Sequence, residues 1–252
     1  MLVMGILNVT PDSFSDGGLH DTFDKAIARG IEMLSEGVDI IDIGGESTRP
    51  GAMRVSAEVE QERVLPVIQY LAKVGAAVSV DTMRADTAAK AIQRGARYVN
   101  DVSGGGADPE MFNTVANLGC EYILMHWRGR SEDMNTRAVY DDVVAQVIEE
   151  VNIGLLKALA AGISQQKIIL DPGLGFAKEA HHNWEIIDRL DEFIALGYPV
   201  LIGGSRKRFL GGTTLEEREV ASIELTRTLL KKDVWGVRVH TVKPHRDVMS
   251  KQ

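Results

Sequence analysis

The chain has 252 residues, of which 44% are hydrophobic and 25% are charged, as is typical of an ordinary globular protein. Asp and Glu number 36 against 28 Lys and Arg, and this net charge of -8 argues against nucleic acid or an anionic membrane as the main partner. Cys120 is the single cysteine, which excludes an intrachain disulfide and suits the reducing cytoplasm. No apolar run approaches about 18 residues and no basic leader is present, so we expect neither a transmembrane helix nor a signal peptide.

Short apolar runs alternate along the chain with longer amphipathic segments, which is typical of βαβ units around a parallel sheet. Eight such units in about 250 residues match the size of a single-domain (β/α)8 TIM barrel spanning 1–252, and a doubly wound open sheet is the structural alternative. The pattern predicts strands at 3–9, 38–43, 77–80, 98–99, 122–125, 168–170, 200–202 and 234–239. It predicts helices near 23–36, 56–73, 84–94, 109–118, 140–161, 182–196 and 215–231.

Polar residues stand at the end of each predicted strand, where (β/α)8 enzymes carry their active sites. A single Asp or Asn at such a position is more often a helix cap or a turn former than a ligand. Recurrence at eight strands indicates a ring of polar groups suited to a polar substrate. The ring comprises Asn8, Asp42, Asp81, Asn100 with Asp101, His126, Asp171, Ser205 with Lys207, and Arg238 with His240.

The first two strands lead into loops with distinctive sequences. Asn8 ends the first strand and begins the segment Asn-Val-Thr-Pro-Asp-Ser-Phe, where its side-chain oxygen could bind Mg²⁺. The second strand continues as Gly-Gly-Glu-Ser-Thr-Arg-Pro-Gly, which places Arg49 to meet an anion and Pro50 to stiffen the loop. Rigid or charged surface turns are the alternative reading of both segments.

Two carboxylates and an amide follow strands 3, 4 and 6. A heterocycle with an amidine-like edge presents adjacent N–H donors, which buried carboxylates bind through paired charge-assisted hydrogen bonds. Asp81 and Asp171 are the candidates for this role, and Asn100 completes the match of donors and acceptors.

Cationic residues follow the last two strands, where this fold commonly binds phosphate. Ser205 and Lys207 come after strand 7, and Arg238 and His240 end strand 8 two residues apart, so that they share a face. A solvated basic patch is the alternative for the run 206–208.

These motifs, in this order and over nearly the whole chain, resemble the dihydropteroate synthases of bacterial folate synthesis. The long signatures Asn8-Val-Thr-Pro-Asp-Ser-Phe and Asp171-Pro-Gly-Leu-Gly-Phe carry most of the resemblance. The resemblance implies a (β/α)8 fold, Mg²⁺, and two substrates: the diphosphate ester of 6-hydroxymethyl-7,8-dihydropterin, and p-aminobenzoate. It further implies that sulfonamides compete with p-aminobenzoate.

The resemblance also assigns roles to residues. Lys207, Arg238 and His240 would be catalytic, and Asn8 would meet the metal. The pterin would be bound by Asp81, Asn100, Asp171 and Lys207. The diphosphate would be bound by Asn8, Thr48, Arg49, Arg238 and His240. The p-aminobenzoate site would include Phe14, Thr48, Pro50, Phe176, Ser205 and Lys207.

Three features depart from the family. Thr241 stands where the family usually has an acidic or amide residue, and we expect it to point away from the pocket and to cap the final helix. The predicted helix before strand 8 carries many charges, and the last helix is very short, so the homodimer common in the family is a possibility only. Two alternatives to an active synthase are a non-catalytic pterin-binding paralogue and a folate-binding methyltransferase domain.

Overall fold

The computed structural model describes residues 1–10, 19–46, 55–129 and 134–250. Eight parallel strands form one sheet in the order β6-β5-β4-β3-β2-β1-β8-β7, and a bridge between Leu170 and Val200 links its two ends. The sheet is therefore a nearly closed barrel, which confirms the (β/α)8 prediction over the open-sheet alternative. The strands are β1 (Leu2–Asn8), β2 (Ile40–Gly44), β3 (Val78–Asp81), β4 (Tyr98–Asp101), β5 (Glu121–Met125), β6 (Ile168–Asp171), β7 (Leu201–Ile202) and β8 (Gly236–Val239).

Helices alternate with the strands. The predicted helix 182–196 is two helices that meet at Arg189, and the final helix is short, as expected. In the described part of the chain, no helix is long and apolar enough to cross a membrane. The helices are α1 (Leu19–Ser35), α2 (Ala57–Lys73), α3 (Ala85–Gln93), α4 (Met111–Leu118), α5 (Val143–Ala160), α6 (Ala180–Asp188), α7 (Leu190–Ile194), α8 (Leu215–Leu229) and α9 (Lys243–Met249).

Side-chain caps fix where several helices begin. The hydroxyl of Ser56 accepts from the backbone N–H of Val59 at the start of α2. Thr214 and Glu217 form a reciprocal capping box at the start of α8. Each cap satisfies backbone donors that the first turn leaves unpaired and is worth about 1 kcal/mol.

Strand alternation divides the apolar side chains into two cores. The residues facing the helices form the large outer core, whereas a small cluster fills the barrel at the end where the strands begin. We call this cluster the apolar plug; it consists of Met4, Ile40, Ile123, Ile169 and Leu201. Because the plug closes one end of the barrel, polar side chains further along the same inward faces line a pocket open only at the other end.

Candidate functional site

A layer of buried polar side chains lies above the apolar plug. Asp42 follows Ile40 by two residues on β2, and Asp171 follows Ile169 by two on β6, so each shares an inward face with a plug residue. Asp81 pairs with Asn100 in the register of β3 and β4. Asp42, Asp81, Asn100 and Asp171, four members of the predicted ring, thus lie on the inner wall of the barrel.

Arg238 reaches across this layer from β8 to two carboxylates. Its Nε donates to Asp42 Oδ2 at 2.6 Å, and its Nη2 donates to Asp81 Oδ2 at 2.6 Å. Asn100 also donates to Asp42 Oδ2, from Nδ2 at 2.9 Å. These bonds join β2, β3, β4 and β8 through their side chains.

The pKa of Asp81 depends on its burial and on the pairing of one cation, Arg238, with two carboxylates. Burial raises the pKa of Asp81 to about 7, with Arg238 opposing the rise and Asp42 adding to it. Burial disfavours the charged form of Arg238, but Asp42 and Asp81 outweigh it and raise the pKa of the guanidinium. Arg238 therefore stays charged, and Asp81 is left incompletely compensated.

Asp171 and Lys207 form a second part of the site. The Asp171 Oδ1 accepts from the backbone N–H of Gly173 at 2.7 Å. The Lys207 ammonium donates to the carbonyl of Leu174 and lies 4.5 Å from the centre of the Phe176 ring. Burial lowers the pKa of Lys207 to about 8 against the opposing charge of Asp171. A cation and an aromatic face thus lie at the rim of the pocket.

His126 belongs to a network that sequence reasoning missed. The ammonium of Lys178 lies 2.8 Å from His126 Nδ1 and donates to the carbonyls of Gly173 and Phe176 at 3.1 Å each. Burial opposes ionisation of Glu150, but hydrogen bonds from His126 and Arg128 outweigh it and lower its pKa to about 2, so its carboxylate can only accept. His126 Nε2–H therefore donates to Glu150 at 2.9 Å, and Nδ1 of the neutral ring accepts from Lys178. Burial and Lys178 lower the pKa of His126 to about 3, so the ring stays neutral.

Two members of the predicted polar ring therefore hold the scaffold. His126 supports Lys178, which binds the loop that carries Phe176. Asp101 faces outward, where it accepts from Tyr122 and Ser103. The expectation that both belong to the ligand pocket is wrong, because Asp101 is offset by one residue from the inward-facing Asn100.

His240 and Ser205 meet at the ends of β8 and β7. His240 Nδ1 lies 3.0 Å from the Ser205 hydroxyl, which also accepts from the His240 backbone N–H at 3.3 Å. The two predicted residues are thereby brought together at the mouth of the barrel.

Thr241 turns away from the pocket, as expected, but it does not cap α9. Its hydroxyl donates to Glu219, which also accepts from Arg206 Nε at 2.6 Å. The N-cap position of α9 is Val242, which makes no side-chain cap hydrogen bond. The capping prediction is wrong because a tertiary partner on α8 binds the hydroxyl instead.

Asn8 is the predicted ligand of Mg²⁺. Gly44 lies between Asn8 and Asp81 in the sheet register, and the side-chain oxygens Asn8 Oδ1 and Asp81 Oδ2 both lie near this glycine. The described residues contain no cluster of three or more His, Cys, Asp or Glu able to hold a metal. Asn8 Oδ1 fits Mg²⁺ only where a substrate phosphate and water complete the shell, which is how proteins usually bind this ion.

The remaining predicted residues, Phe14, Thr48, Arg49 and Pro50, lie outside the described residues. Arg84 binds residues on both sides of the segment 47–54. It donates to Glu46 at 2.8 Å and to the carbonyl of Val55 at 2.5 Å, and it also pairs with Glu60 at 2.8 Å. No sequence signal singled out Arg84.

Comparison with known proteins shows the family to which the chain belongs. Residues 4–240 match the family described as pterin binding enzyme. The chain is 46% identical to the dihydropteroate synthase of Mycobacterium leprae, over 98% of this chain and 90% of the relative.

Solved structures of dihydropteroate synthases share the fold of this chain. That of Xanthomonas albilineans dihydropteroate synthase with 4-aminobenzoic acid has a TM-score of 0.93 at 39% identity, over 99% of this chain and 91% of the other. That of the Yersinia pestis dihydropteroate synthase with a sulfonamide drug has a TM-score of 0.93 at 37% identity, over 99% and 92%.

Proposed function

Because the chain belongs to the dihydropteroate synthases, transferases of folate biosynthesis within the pterin-binding enzymes, we propose that the mouth of its barrel carries out their reaction with the polar residues described above. In that reaction, p-aminobenzoate displaces diphosphate from 6-hydroxymethyl-7,8-dihydropterin diphosphate and gives 7,8-dihydropteroate. The identity over nearly the whole chain and the retention of the site residues disfavour a non-catalytic paralogue or a folate-binding methyltransferase domain.

The observation that carries the assignment of the pterin site is the convergence of Asp81, Asn100 and Asp171 above the apolar plug. Each lies on an inward strand face and is buried. A dihydropterin presents a ring N–H beside an exocyclic NH₂, and carboxylates at the wall of a pocket bind such a pair of donors. Lys207, beside Asp171, would bind an acceptor atom of the same ring.

The diphosphate would lie at the end of the pocket formed by Arg238 and His240. In the described part of the chain, Arg238 uses Nε and Nη2 for its carboxylate partners, which leaves further N–H donors on its guanidinium. These donors and His240 would stabilise the negative charge that develops on the leaving diphosphate. Thr48 and Arg49 are proposed to add contacts to the same group.

Mg²⁺ is proposed as the cofactor, held by Asn8 and by the diphosphate itself. When bound, it would neutralise part of the leaving group's charge. Arg238 and His240 orient the diphosphate in this scheme, and Asp81 keeps the pterin ring in place.

The arylamine would approach from the side of Phe176, Ser205 and Lys207. The amine of p-aminobenzoate is neutral near pH 7, so its lone pair can form the C–N bond at the methylene without a strong general base. Phe14, Thr48 and Pro50 are proposed to complete this site. The sulfonamide complex of the Yersinia pestis relative supports competition by sulfonamides at this position.

The experiment that tests the proposed function is incubation of the protein with the pterin diphosphate, p-aminobenzoate and Mg²⁺, with diphosphate release as the readout. We expect release that requires both organic substrates. Release at the rate of spontaneous hydrolysis, unaffected by p-aminobenzoate, would contradict the proposal. Omission of Mg²⁺ tests the metal separately, since the proposal predicts a lower rate without it.

We also propose a homodimer in the cytoplasm. Trp184 on α6 and Leu215 and Val220 on α8 are large apolar side chains left 41–61% exposed, and α6 and α8 both contact the short helix Arg208–Leu210. The charged pair Glu224–Arg227 on α8 reduces the apolar area of that face. Sedimentation equilibrium would decide between dimer and monomer.

A further inference from the structure

Asp42 belongs to the polar ring predicted from the sequence, but neither the roles implied by the family resemblance nor the proposed reaction includes it. It is fully buried on β2, and its partner in the register of β3 is Ser79, two residues before Asp81. Asp81 instead pairs with Gly44. Asp42 therefore lies one layer deeper in the barrel than Asp81, between the apolar plug and the pterin site.

We propose that Asp42 is a positioning residue that fixes the Asn100 carboxamide and the Arg238 guanidinium in the orientations that bind the pterin diphosphate. The inference rests on the proposed function, because it assigns those two residues to the substrate. Asp42 itself stays below the substrate and acts through them.

Among the described residues, Asp42 forms hydrogen bonds with these two alone. Its Oδ2 accepts from Asn100 Nδ2 at 2.9 Å and from Arg238 Nε at 2.6 Å, whereas no described side chain or backbone group donates to its buried Oδ1. A buried carboxylate with one oxygen left without a hydrogen bond destabilises a fold, so its presence indicates a role in the neighbouring site. Here the carboxylate makes no hydrogen bond to the scaffold in the described part of the chain and two to candidate ligand residues.

The chemistry of Asp42 determines which end of the Asn100 amide faces the pocket. Asp42 Oδ2 accepts from the Asn100 NH₂ group, so this end of the amide faces Asp42. The oxygen of the amide is then directed away from Asp42 and remains an acceptor for a donor on the pterin. Without Asp42, both orientations of the amide would become available, and the site would lose a fixed pattern of donors and acceptors.

Asp42 also limits the guanidinium of Arg238 to one plane. The backbone of Arg238 pairs with Met4, at the level of the apolar plug, so its side chain must extend upward past Asp42 to reach Asp81. Bonds from Nε to Asp42 and from Nη2 to Asp81 attach the planar group at two points. A planar donor held at two points directs its remaining N–H groups along fixed lines.

The test is Asp42→Asn, which preserves shape and removes the charge. We expect calorimetry to show at least tenfold weaker binding of 6-hydroxymethyl-7,8-dihydropterin, while the KM for p-aminobenzoate stays within twofold of wild type. Val67→Ala is the control, because it destabilises the outer core without contact with the barrel interior and should leave pterin affinity unchanged. Pterin affinity within threefold of wild type in Asp42→Asn would overturn the proposal.

The reciprocal exchange Asp42→Asn with Asn100→Asp keeps the inference testable if the single variant folds poorly. It retains both the net charge and a hydrogen bond between the two positions, and it still presents an acceptor oxygen from position 100. We expect it to recover most of the pterin affinity lost by Asp42→Asn or by Asn100→Asp. An exchange variant that binds no better than either single variant would also overturn the proposal. Wild-type protein that binds the pterin but releases no diphosphate would contradict the proposed function alone.

Discussion

Arg238 Nη2 lies 2.6 Å from Asp81 Oδ2, although β8 and β3 are separated by two strands in the sheet. This contact spans the barrel interior. The same guanidinium also donates to Asp42, so the two carboxylates share one cation. Burial raises the pKa of Asp81 to about 7, because Arg238, which Asp81 shares with Asp42, offsets only part of the cost of burying the charge. Asp81 is thus a group in the proposed site that titrates near neutral pH.

The first prediction concerns the pH dependence of pterin binding. Only the ionised form of Asp81 can accept both hydrogen bonds from a donor edge, so binding should release a proton below pH 7. The affinity for 6-hydroxymethyl-7,8-dihydropterin should rise about tenfold per pH unit below 7 and level off above it. Calorimetry between pH 5.5 and 8 measures this directly.

Asp81→Asn is the control for that profile, since it cannot titrate and should bind weakly at every pH. The pH dependence of the stability of the ligand-free protein is an independent check on the pKa of Asp81. A carboxylate whose pKa is raised from 3.8 to about 7 on folding contributes stability that is present below pH 3.8 and is lost as the pH rises through 7. If the pterin affinity of Asp81→Asn still changed with pH in the same way, another group would be responsible for the titration.

The second prediction separates two roles of Asp171. Its Oδ1 accepts from the Gly173 N–H at 2.7 Å, and its charge faces Lys207. Asp171→Asn can keep the contact with the backbone but loses the charge-assisted bonds to the pterin. Asp171→Ala loses both, and each variant should weaken pterin binding by about 2–5 kcal/mol. Thermal unfolding should distinguish them, because only Asp171→Ala should lower the melting temperature markedly. Pterin affinity within threefold of wild type in either variant would refute the assignment.

The third prediction concerns the loop that carries Phe176. Lys178 holds this loop through the carbonyls of Gly173 and Phe176, and Lys178→Met keeps the length of the side chain but removes every donor. We expect a loss of about 1–3 kcal/mol in unfolding free energy, because His126 and two carbonyls lose a buried partner. The KM for p-aminobenzoate should rise at least fivefold as the Phe176 ring loses its fixed position.

Lys167→Met provides the matched control for this prediction. Lys167 pairs with Glu121 at the surface, 41% exposed, at the end of the barrel where β5 and β6 begin. Removal of an exposed pair costs little, so this variant should keep both stability and KM. A normal KM for p-aminobenzoate in Lys178→Met would show that the network has no influence on the arylamine site.

Much of the fold and site could be predicted because strand alternation and strand-end position are local properties of the sequence. Asn8, Asp81, Asn100, Asp171 and Arg238 all lie where the period of two places them. The network around His126 could not be predicted, because it joins Lys178 to a residue 52 positions earlier in the chain. The break between α6 and α7 at Arg189 has no Gly or Pro signal, and Arg189 is instead held by ion pairs with Asp142, Glu185 and Glu192.

Thr241 illustrates how a tertiary contact changes a prediction made from the sequence alone. A residue that points away from the pocket should tolerate Asp, which is usual in the family, and the sequence predicts that Thr241→Asp is nearly silent. In the structure, the Thr241 hydroxyl donates to Glu219. Burial opposes ionisation of Glu219, but the His245 ring at 3.4 Å and hydrogen bonds from Thr241 and Arg206 outweigh it and lower its pKa to about 2. An Asp at position 241 would therefore place a second negative charge beside an ionised carboxylate.

The last prediction concerns the two carboxylates that Thr241→Asp would bring together, at positions 241 and 219. Thr241→Asp should lose roughly 1–3 kcal/mol of stability from like-charge repulsion, which corresponds to a fall of about 2–12 °C in melting temperature at this chain length. Addition of Glu219→Gln should restore the melting temperature, and kcat/KM should stay within threefold of wild type because Thr241 does not face the pocket.

His240→Ala should show the opposite pattern, with kcat lower by about 10²–10³ and stability nearly unchanged, because it removes a donor to the leaving diphosphate. Scanning calorimetry and steady-state kinetics on these variants separate the two effects. A tenfold gain in kcat/KM for Thr241→Asp would show instead that Thr241 impairs the chemical step.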